Sequence, residues 1–173
     1  MVLTTISPTD KLLAGKDADI IRSTTSRLAP PPLLPKVQAE LKRMEDMEVT
    51  EKLDQPTEWC FPVVVVPKKH GKVRICGDFI QLNKAVNWEN HPMPTTEQTL
   101  AKLAGAKIVS ELDANSGFWQ RKFSLNSKLL TTFITPRGRY CYRRLPFGIS
   151  SAPEHFQRIM QKIFPRIEAI TQM

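Results

Sequence analysis

The sequence predicts an α+β domain in which antiparallel hairpins alternate with short helices. Two observations carry this. A strand-sized apolar run, Val63–Val66, sits between Pro62 and Pro67 and is followed by the turn Lys68-Lys69-His70-Gly71-Lys72. Elsewhere apolar residues recur at helical spacing, as in Val37, Leu41, Met44 and Met47. No internal repeat is visible, and 173 residues suffice for one core with an arm.

Taken in order, residues 1–29 are rich in Ser and Thr and read as an arm or the tail of an upstream region. Ala29-Pro30-Pro31-Pro32 acts as a linker, because proline fixes φ and cannot continue regular structure, so the domain is expected over residues 30–173. A helix is predicted from Pro35, then a strand over Phe61–Val66 and a returning strand over Val73–Phe79. A polar loop follows at Asn87–Pro94, and a short helix at Thr95–Leu103 ends near Gly105. Further strands are expected at Lys107–Asp113, Phe118–Leu125, Thr131–Thr135 and Tyr140–Arg144, with a turn at residues 136–139. Ser151 and Glu154 suggest a capping box for a last helix, with Pro153 in its first turn and Phe156, Ile159, Met160 and Ile163 on its apolar face.

Charge narrows the function. Twenty-five Lys and Arg against 17 Asp and Glu leave +8, the footprint of a nucleic-acid binder, since cations that neutralise phosphates release condensed counterions. A solvated basic surface or an anionic-membrane contact would produce the same number. The three cysteines, Cys60, Cys76 and Cys141, form no CxxC pair, and no histidine stands at metal-ligand spacing, so a reducing compartment is expected and a zinc site is not. No run of 18 apolar residues and no secretory leader is present, which points to an intracellular, cytoplasmic or nuclear protein without a membrane partner.

Three segments carry chemistry. The hairpin Pro67–Arg74 presents Lys68, Lys69 and Lys72 on a turn with Arg74 beside them, a mixture suited to phosphates; a solvated turn is the bland alternative. In Glu111-Leu112-Asp113-Ala114-Asn115-Ser116-Gly117-Phe118, a carboxylate precedes a small-residue turn whose carbonyls are hard ligands for a divalent cation; an Asx-capped turn would look similar. In Arg143–Pro153 a strand runs through Pro146-Phe147-Gly148 into a helix, whose first amides can hold an anion.

The order of these segments is more specific than any one of them. Val64–Phe79, Leu82-Asn83-Lys84, His91-Pro92-Met93-Pro94 and Leu103–Lys107 closely resemble gypsy-type retrotransposon reverse transcriptases. Leu112–Gln120, Thr131-Thr132-Phe133, Leu145–Ile149 and Ala152–Gln157 continue the likeness collinearly to the end of the chain. Phenylalanine at 147, where retroviral enzymes commonly carry glutamine, also favours the retrotransposon branch.

The resemblance implies the fingers and first part of the palm of a right-hand polymerase. It implies RNA-directed DNA synthesis, with Asp113 and the Ala114 carbonyl as ligands to two Mg²⁺ ions. Lys68 or Lys69 and Arg74 would grip the deoxynucleoside triphosphate, and the amides of Ser116 and Gly117 would lie beside its oxygens. Phe118 would pack under the sugar and exclude a ribose 2′-hydroxyl, while Phe147 and Gly148 would face the nucleotide and template base. The partners implied are an RNA or DNA template with its primer, and the remainder of a pol polyprotein. The family also needs an Asp-Asp pair on a palm hairpin beyond Phe164, together with a thumb and RNase H. None of these is in the 173 residues, so the chain alone is expected to be inactive. A non-catalytic basic nucleic-acid-binding remnant is the competing expectation. Arg121 stands where the family usually has an aliphatic residue and, if buried, needs a partner.

Overall fold

Pro35 stands in the first turn of helix α1 (Leu34–Asp46), where its missing N–H costs no hydrogen bond. The computed structural model describes residues 31–68, 71–86, 90–110 and 113–164. The expected arm at 1–29, Lys69 and His70 of the basic turn, residues 87–89 of the polar loop, Glu111, Leu112 and the residues from 165 onward lie outside the described residues. Helix α1 buries Val37, Leu41 and Met44 and packs on strand β3, while Glu40 and Arg43 pair at 2.7 Å on its outer side.

After α1 the chain reverses at Glu48, a non-glycine residue at φ +54°, and enters β1 (Thr50–Leu53). Strands β2 (Val63–Pro67) and β3 (Val73–Gly77) form an antiparallel hairpin with Val65 opposite Ile75. Strands β4 (Phe133–Thr135) and β5 (Gly138–Tyr142) form a second hairpin, and β1 adds to the free edge of β5, giving the order β1-β5-β4. The two sheets meet at Phe61, whose N–H donates to the Thr132 carbonyl and whose carbonyl accepts from the Ile134 N–H, both at 2.9 Å.

Between the sheets lies a chain of rings. Phe61 meets Phe79 edge-on at 5.4 Å, Phe79 meets Tyr142 at 6.0 Å, and Tyr142 meets Phe133 at 5.1 Å. Such pairs favour edge-to-face and tilted geometries and add about 0.5–1.5 kcal/mol beyond the area they bury. The Tyr142 hydroxyl, fully buried, donates to the Ile75 carbonyl at 3.3 Å and so ties β5 to β3. Helices α2 (Ile80–Ala85), α4 (Leu125–Leu130) and α5 (Ala152–Ile163) add Leu82, Ala85, Leu130 and Ala152 to this core, and α3 (Thr96–Leu103) contributes none of its residues.

The α+β class, both predicted hairpins and the helices at α1, α3 and α5 are present. Two predicted strands are not. The described residues of Lys107–Asp113 form no strand, and Ile108 is 87% exposed. A strand requires a ladder partner for its N–H and C=O groups, and none lies beside this segment among the described residues. Phe118–Leu125 is extended only in its middle, at Arg121–Ser124. Gly117–Gln120 is a 3₁₀ turn, and the Ser124 hydroxyl then caps α4 by accepting from the Ser127 N–H at 3.3 Å. Between them a short antiparallel bridge pairs Lys122 with Arg144, the Phe123 N–H donating to the Arg143 carbonyl at 2.8 Å and the Leu145 N–H to the Arg121 carbonyl at 2.9 Å. Arg121 is buried and is not without a partner.

The capping expectation also moves. Ser151 adopts helical angles and makes no cap bond, whereas Thr95 and Gln98 form a reciprocal capping box at the start of α3, with bonds of 3.2 and 3.0 Å. Met47, expected on the buried face of α1, ends the helix 44% exposed, and Leu100 of α3 is exposed. On α5 the buried residues are Ala152, His155 and Gln157, while the expected face of Phe156, Ile159, Met160 and Ile163 is only half-buried.

All three cysteines are free, and Cys141 is fully buried in β5. Burial, followed by the neighbouring Glu51 carboxylate, pushes its thiol from an ordinary value near 9 up to about 12. A raised folded-state value means that the folded chain holds the proton more tightly. Stability from this group is therefore complete below about pH 9 and is lost as pH rises toward 12. Thermal melts should be flat from pH 7 to 8.5 and fall above pH 9. Replacing Cys141 with Ala should reduce that alkaline slope.

Candidate functional site

The basic hairpin is closed by the Lys68 N–H donating to the Lys72 carbonyl at 2.8 Å, with Gly71 at φ +69° supplying the left-handed turn residue. A Cβ at Gly71 would lie 3.3 Å from the Lys36 ammonium, so α1 delivers a further cation to the hairpin tip. Lys68 and Lys72 are exposed, as is Arg74 on β3. The Arg74 guanidinium lies over the Phe147 ring at 5.1 Å from its centroid. Burial raises the Cys76 thiol, and the positive field of Arg74 and Lys68 opposes that rise, so both cations act on the same face of β3.

Asp113 is exposed at the head of the small-residue turn. The Ala114 carbonyl accepts from the Gly117 N–H at 3.1 Å, and Ser116 sits in the left-handed region at φ 51°. The Gly117 amide is thus spent inside the turn, whereas the Ala114 oxygen keeps its second lone pair. Gln120 steadies the loop by donating from its side chain to the Asn115 carbonyl at 3.0 Å. Gly117 is required sterically, because a Cβ there would approach the Phe156 ring at 2.9 Å. That close approach lets Phe118 pack against Phe156 at 5.6 Å and Phe147 at 5.2 Å.

Phe147 therefore stands at the centre. Arg74 covers it from the fingers hairpin, Phe118 meets it from the Asp113 turn, and Trp119 meets it edge-on at 6.3 Å. Trp119 in turn lies under the Arg43 guanidinium of α1 at 5.4 Å. The turn carrying Phe147 is held by Asn83 of α2. Its side-chain amide donates to the Gly148 carbonyl at 2.8 Å, and its side-chain oxygen accepts from the Ser150 N–H at 2.9 Å. Gly148 itself takes φ +96°.

The structure thus brings Arg74, Phe118, Phe147 and Gly148 into one cluster, with Ala114, Ser116 and Gly117 in the turn that supplies Phe118. Lys68 stands on the same hairpin as Arg74, and Lys69 lies outside the described residues. Sequence reading missed Asn83, Arg43, Trp119 and Phe156 as parts of this cluster. Asn83, Trp119 and Phe156 lie within the segments that carry the resemblance, which was the signal available for them, whereas Arg43 had none.

Asp113 and the Ala114 carbonyl are hard oxygen donors of the kind Mg²⁺ accepts, which fits half of such a site. No group of three or more His, Cys, Asp or Glu side chains that could hold a metal occurs among the described residues. None of the helices described is long and apolar enough to cross a membrane.

The protein-family model "Reverse transcriptase (RNA-dependent DNA polymerase)" matches residues 66–172, more than half of the chain. The chain is 34% identical over 140 residues to the retrovirus-related Pol polyprotein from transposon 412 of Drosophila melanogaster, covering 76% of this chain and 11% of that protein. It is 39% identical over 102 residues to the Transposon Tf2-3 polyprotein of Schizosaccharomyces pombe, covering 59% of this chain and 8% of the relative. Among solved structures, the foamy viral protease-reverse transcriptase in complex with dsDNA superposes with a TM-score of 0.80 at 21% identity, covering 96% of this chain and 34% of the other. The same enzyme in complex with RNA/DNA hybrid gives 0.78 at 20% identity, covering 96% and 22%. The chain belongs to the reverse transcriptase family, the nucleotidyltransferases of retrotransposon and retroviral pol polyproteins. It spans about a tenth of the length of the curated relatives it matches.

The Asn83 clamp makes a prediction. Asn83→Ala removes the bonds to the exposed Gly148 carbonyl and the half-buried Ser150 N–H, whose places water can take, and should cost about 0.5–1.5 kcal/mol of stability. Denaturant titration reads this directly, and a loss below 0.5 kcal/mol would show that the clamp does not hold the turn. Gly117→Ala should destabilise as well, and should shift the Phe118 and Phe156 ring resonances together.

Proposed function

We propose that residues 30–173 form the fingers and first palm segment of a gypsy-type retrotransposon reverse transcriptase, and that the cluster around Phe147 receives the incoming deoxynucleoside triphosphate. The observation that carries this reading is the meeting of Arg74, Phe118 and Phe147. It sets a basic hairpin, an aromatic wall and the Asp113 turn around one position.

In this reading Lys68, Lys69 and Arg74 offset the charge of the triphosphate, and Arg74 swings from Phe147 onto its oxygens. Phe118, locked between Phe147 and Phe156, is a rigid surface beneath the sugar and leaves no room for a 2′-hydroxyl. The Ser116 amide lies at the rim of the turn, and Phe147 with Gly148 faces the nucleotide and the template base. Asp113 and the Ala114 carbonyl would contribute to holding Mg²⁺, which when bound stabilises the attacking and leaving oxygens of in-line phosphoryl transfer. The partners are a template of RNA or DNA with its primer, and the rest of a pol polyprotein supplies further carboxylates, thumb and RNase H. The reaction places the protein inside the cell, in a retroelement particle or the nucleus. The competing reading, a non-catalytic basic remnant, is not favoured, because it leaves the packing of Phe118 and Gly117 without a purpose.

Two experiments test this. Installed in a complete reverse transcriptase of this family, the segment should support Mg²⁺-dependent primer extension, and Asp113→Asn should abolish it; activity retained in that variant sinks the role assigned to Asp113. Phe118→Ala in the same setting should admit ribonucleotides, raising their use relative to deoxynucleotides by roughly 10-fold or more.

A further inference from the structure

Lined by none of the residues of the Phe147 cluster is a shallow cavity of about 180 Å³. Four cations line it: Lys122, Lys128, Arg143 and Arg144. They come from the bridge segment, α4 and the end of β5, so the fold rather than one charged run assembles them. Phe123 forms part of the floor, and Leu125, 67% exposed, forms an apolar lip.

Two carboxylates face these cations. Glu51 pairs with Lys128 and, at 3.5 Å, with Arg143. Glu48 reaches Arg143 at 3.8 Å and Arg144 at 3.7 Å, both long contacts made by a largely exposed side chain. Glu48 also occupies the φ +54° position where glycine is the unstrained choice. Four positive and two negative charges leave the cavity with a net excess, and Glu48, the more loosely paired carboxylate, is the one free to swing out. Arg144 is anchored independently, donating to the Glu48 and Trp119 carbonyls at 3.1 and 3.0 Å, so its fork stays in place when Glu48 leaves.

We propose that this cavity is an auxiliary phosphate subsite for a single-stranded nucleic acid, in which one backbone phosphate replaces the Glu48 carboxylate between Arg143 and Arg144. Lys122 adds point charge, and Leu125 takes the flank of the adjoining sugar or base. The volume of about 180 Å³ suits a phosphodiester group. The +8 excess of the chain supports an anionic polymer. Arg144 links the cavity to the Phe147 cluster through its bond to the Trp119 carbonyl. The inference rests on the reading that the chain handles nucleic acid.

The test is fluorescence anisotropy of the full chain with an oligothymidylate of about 12 nucleotides across a salt series. Lys122→Ala and Arg143→Ala should each weaken binding roughly threefold to fivefold. Each should also lower the slope of log affinity against log salt by about 0.7. Glu48→Gly, which removes the carboxylate and suits the backbone, should tighten binding. Thermal melts of the variants separate unfolding from lost contact, and the exposed Lys122 keeps the test decisive if Arg143→Ala unfolds. Unchanged affinity and slope in Lys122→Ala together with unchanged binding by Glu48→Gly overturn the subsite. If Arg74→Ala still weakens binding in that case, the proposed function survives without it. Binding of oligoglutamate, but not of the oligonucleotide, through the same residues would overturn it in favour of an acidic protein segment.

Discussion

Two sheets of three and two strands are each too small to stand alone, and the buried rings between them are what makes them one body. Tyr142 is the central member. Its ring touches Phe79 and Phe133, and its hydroxyl reaches across to the Ile75 carbonyl, so the end of β5 is fixed relative to β3. The next residues of the chain are Arg143, Arg144 and the Phe147 turn. Any looseness at Tyr142 would be passed on to Phe147 and hence to the face that Arg74 covers.

Preorganisation in the candidate site follows from that anchoring. Phe147 is bounded by a guanidinium on one side and by Phe118 and Trp119 on others, and its turn is pinned by two hydrogen bonds from Asn83. A cation over an exposed ring contributes only about 0.5–1 kcal/mol. That is enough to bias the Arg74 guanidinium toward Phe147 and small enough to release it to a phosphate. Stiff aromatic packing with a lightly held cation is the combination that binding a triphosphate asks for.

The charge distribution separates into two kinds. Lys36, Lys68 and Lys72 at the hairpin tip stand in water, whereas Arg143, Arg144 and Lys128 are partly neutralised by Glu48 and Glu51. Exposed pairs of the second kind add little to stability. The left-handed backbone of Glu48 closes the end of α1, its own N–H and that of Val49 donating to the Glu45 and Met44 carbonyls at 2.8 Å, and this sets its side chain beside Arg143 and Arg144.

Much of the fold was legible. The turn chemistry of Lys68–Lys72, the apolar run before it and the helical spacing of Val37, Leu41 and Met44 are local signals that read correctly. Strand β1 and helices α2 and α4 were missed because four to six residues are too few to show a period. The start of Phe118–Leu125 was misread because Phe118 and Trp119 both turn toward Phe147, which an alternating strand would forbid and a 3₁₀ turn permits. Asp113, Arg74, Phe118 and Phe147 were named from sequence, because their neighbours in the chain define the motifs that carry them. That Arg74 lies on Phe147, that Asn83 holds Gly148, and that Glu48 faces Arg144 were decided by tertiary structure alone. Each of these joins residues tens of positions apart. The sequence determined which groups the chain possesses and in what order, but only burial of the aromatic core between the sheets set which of them would meet.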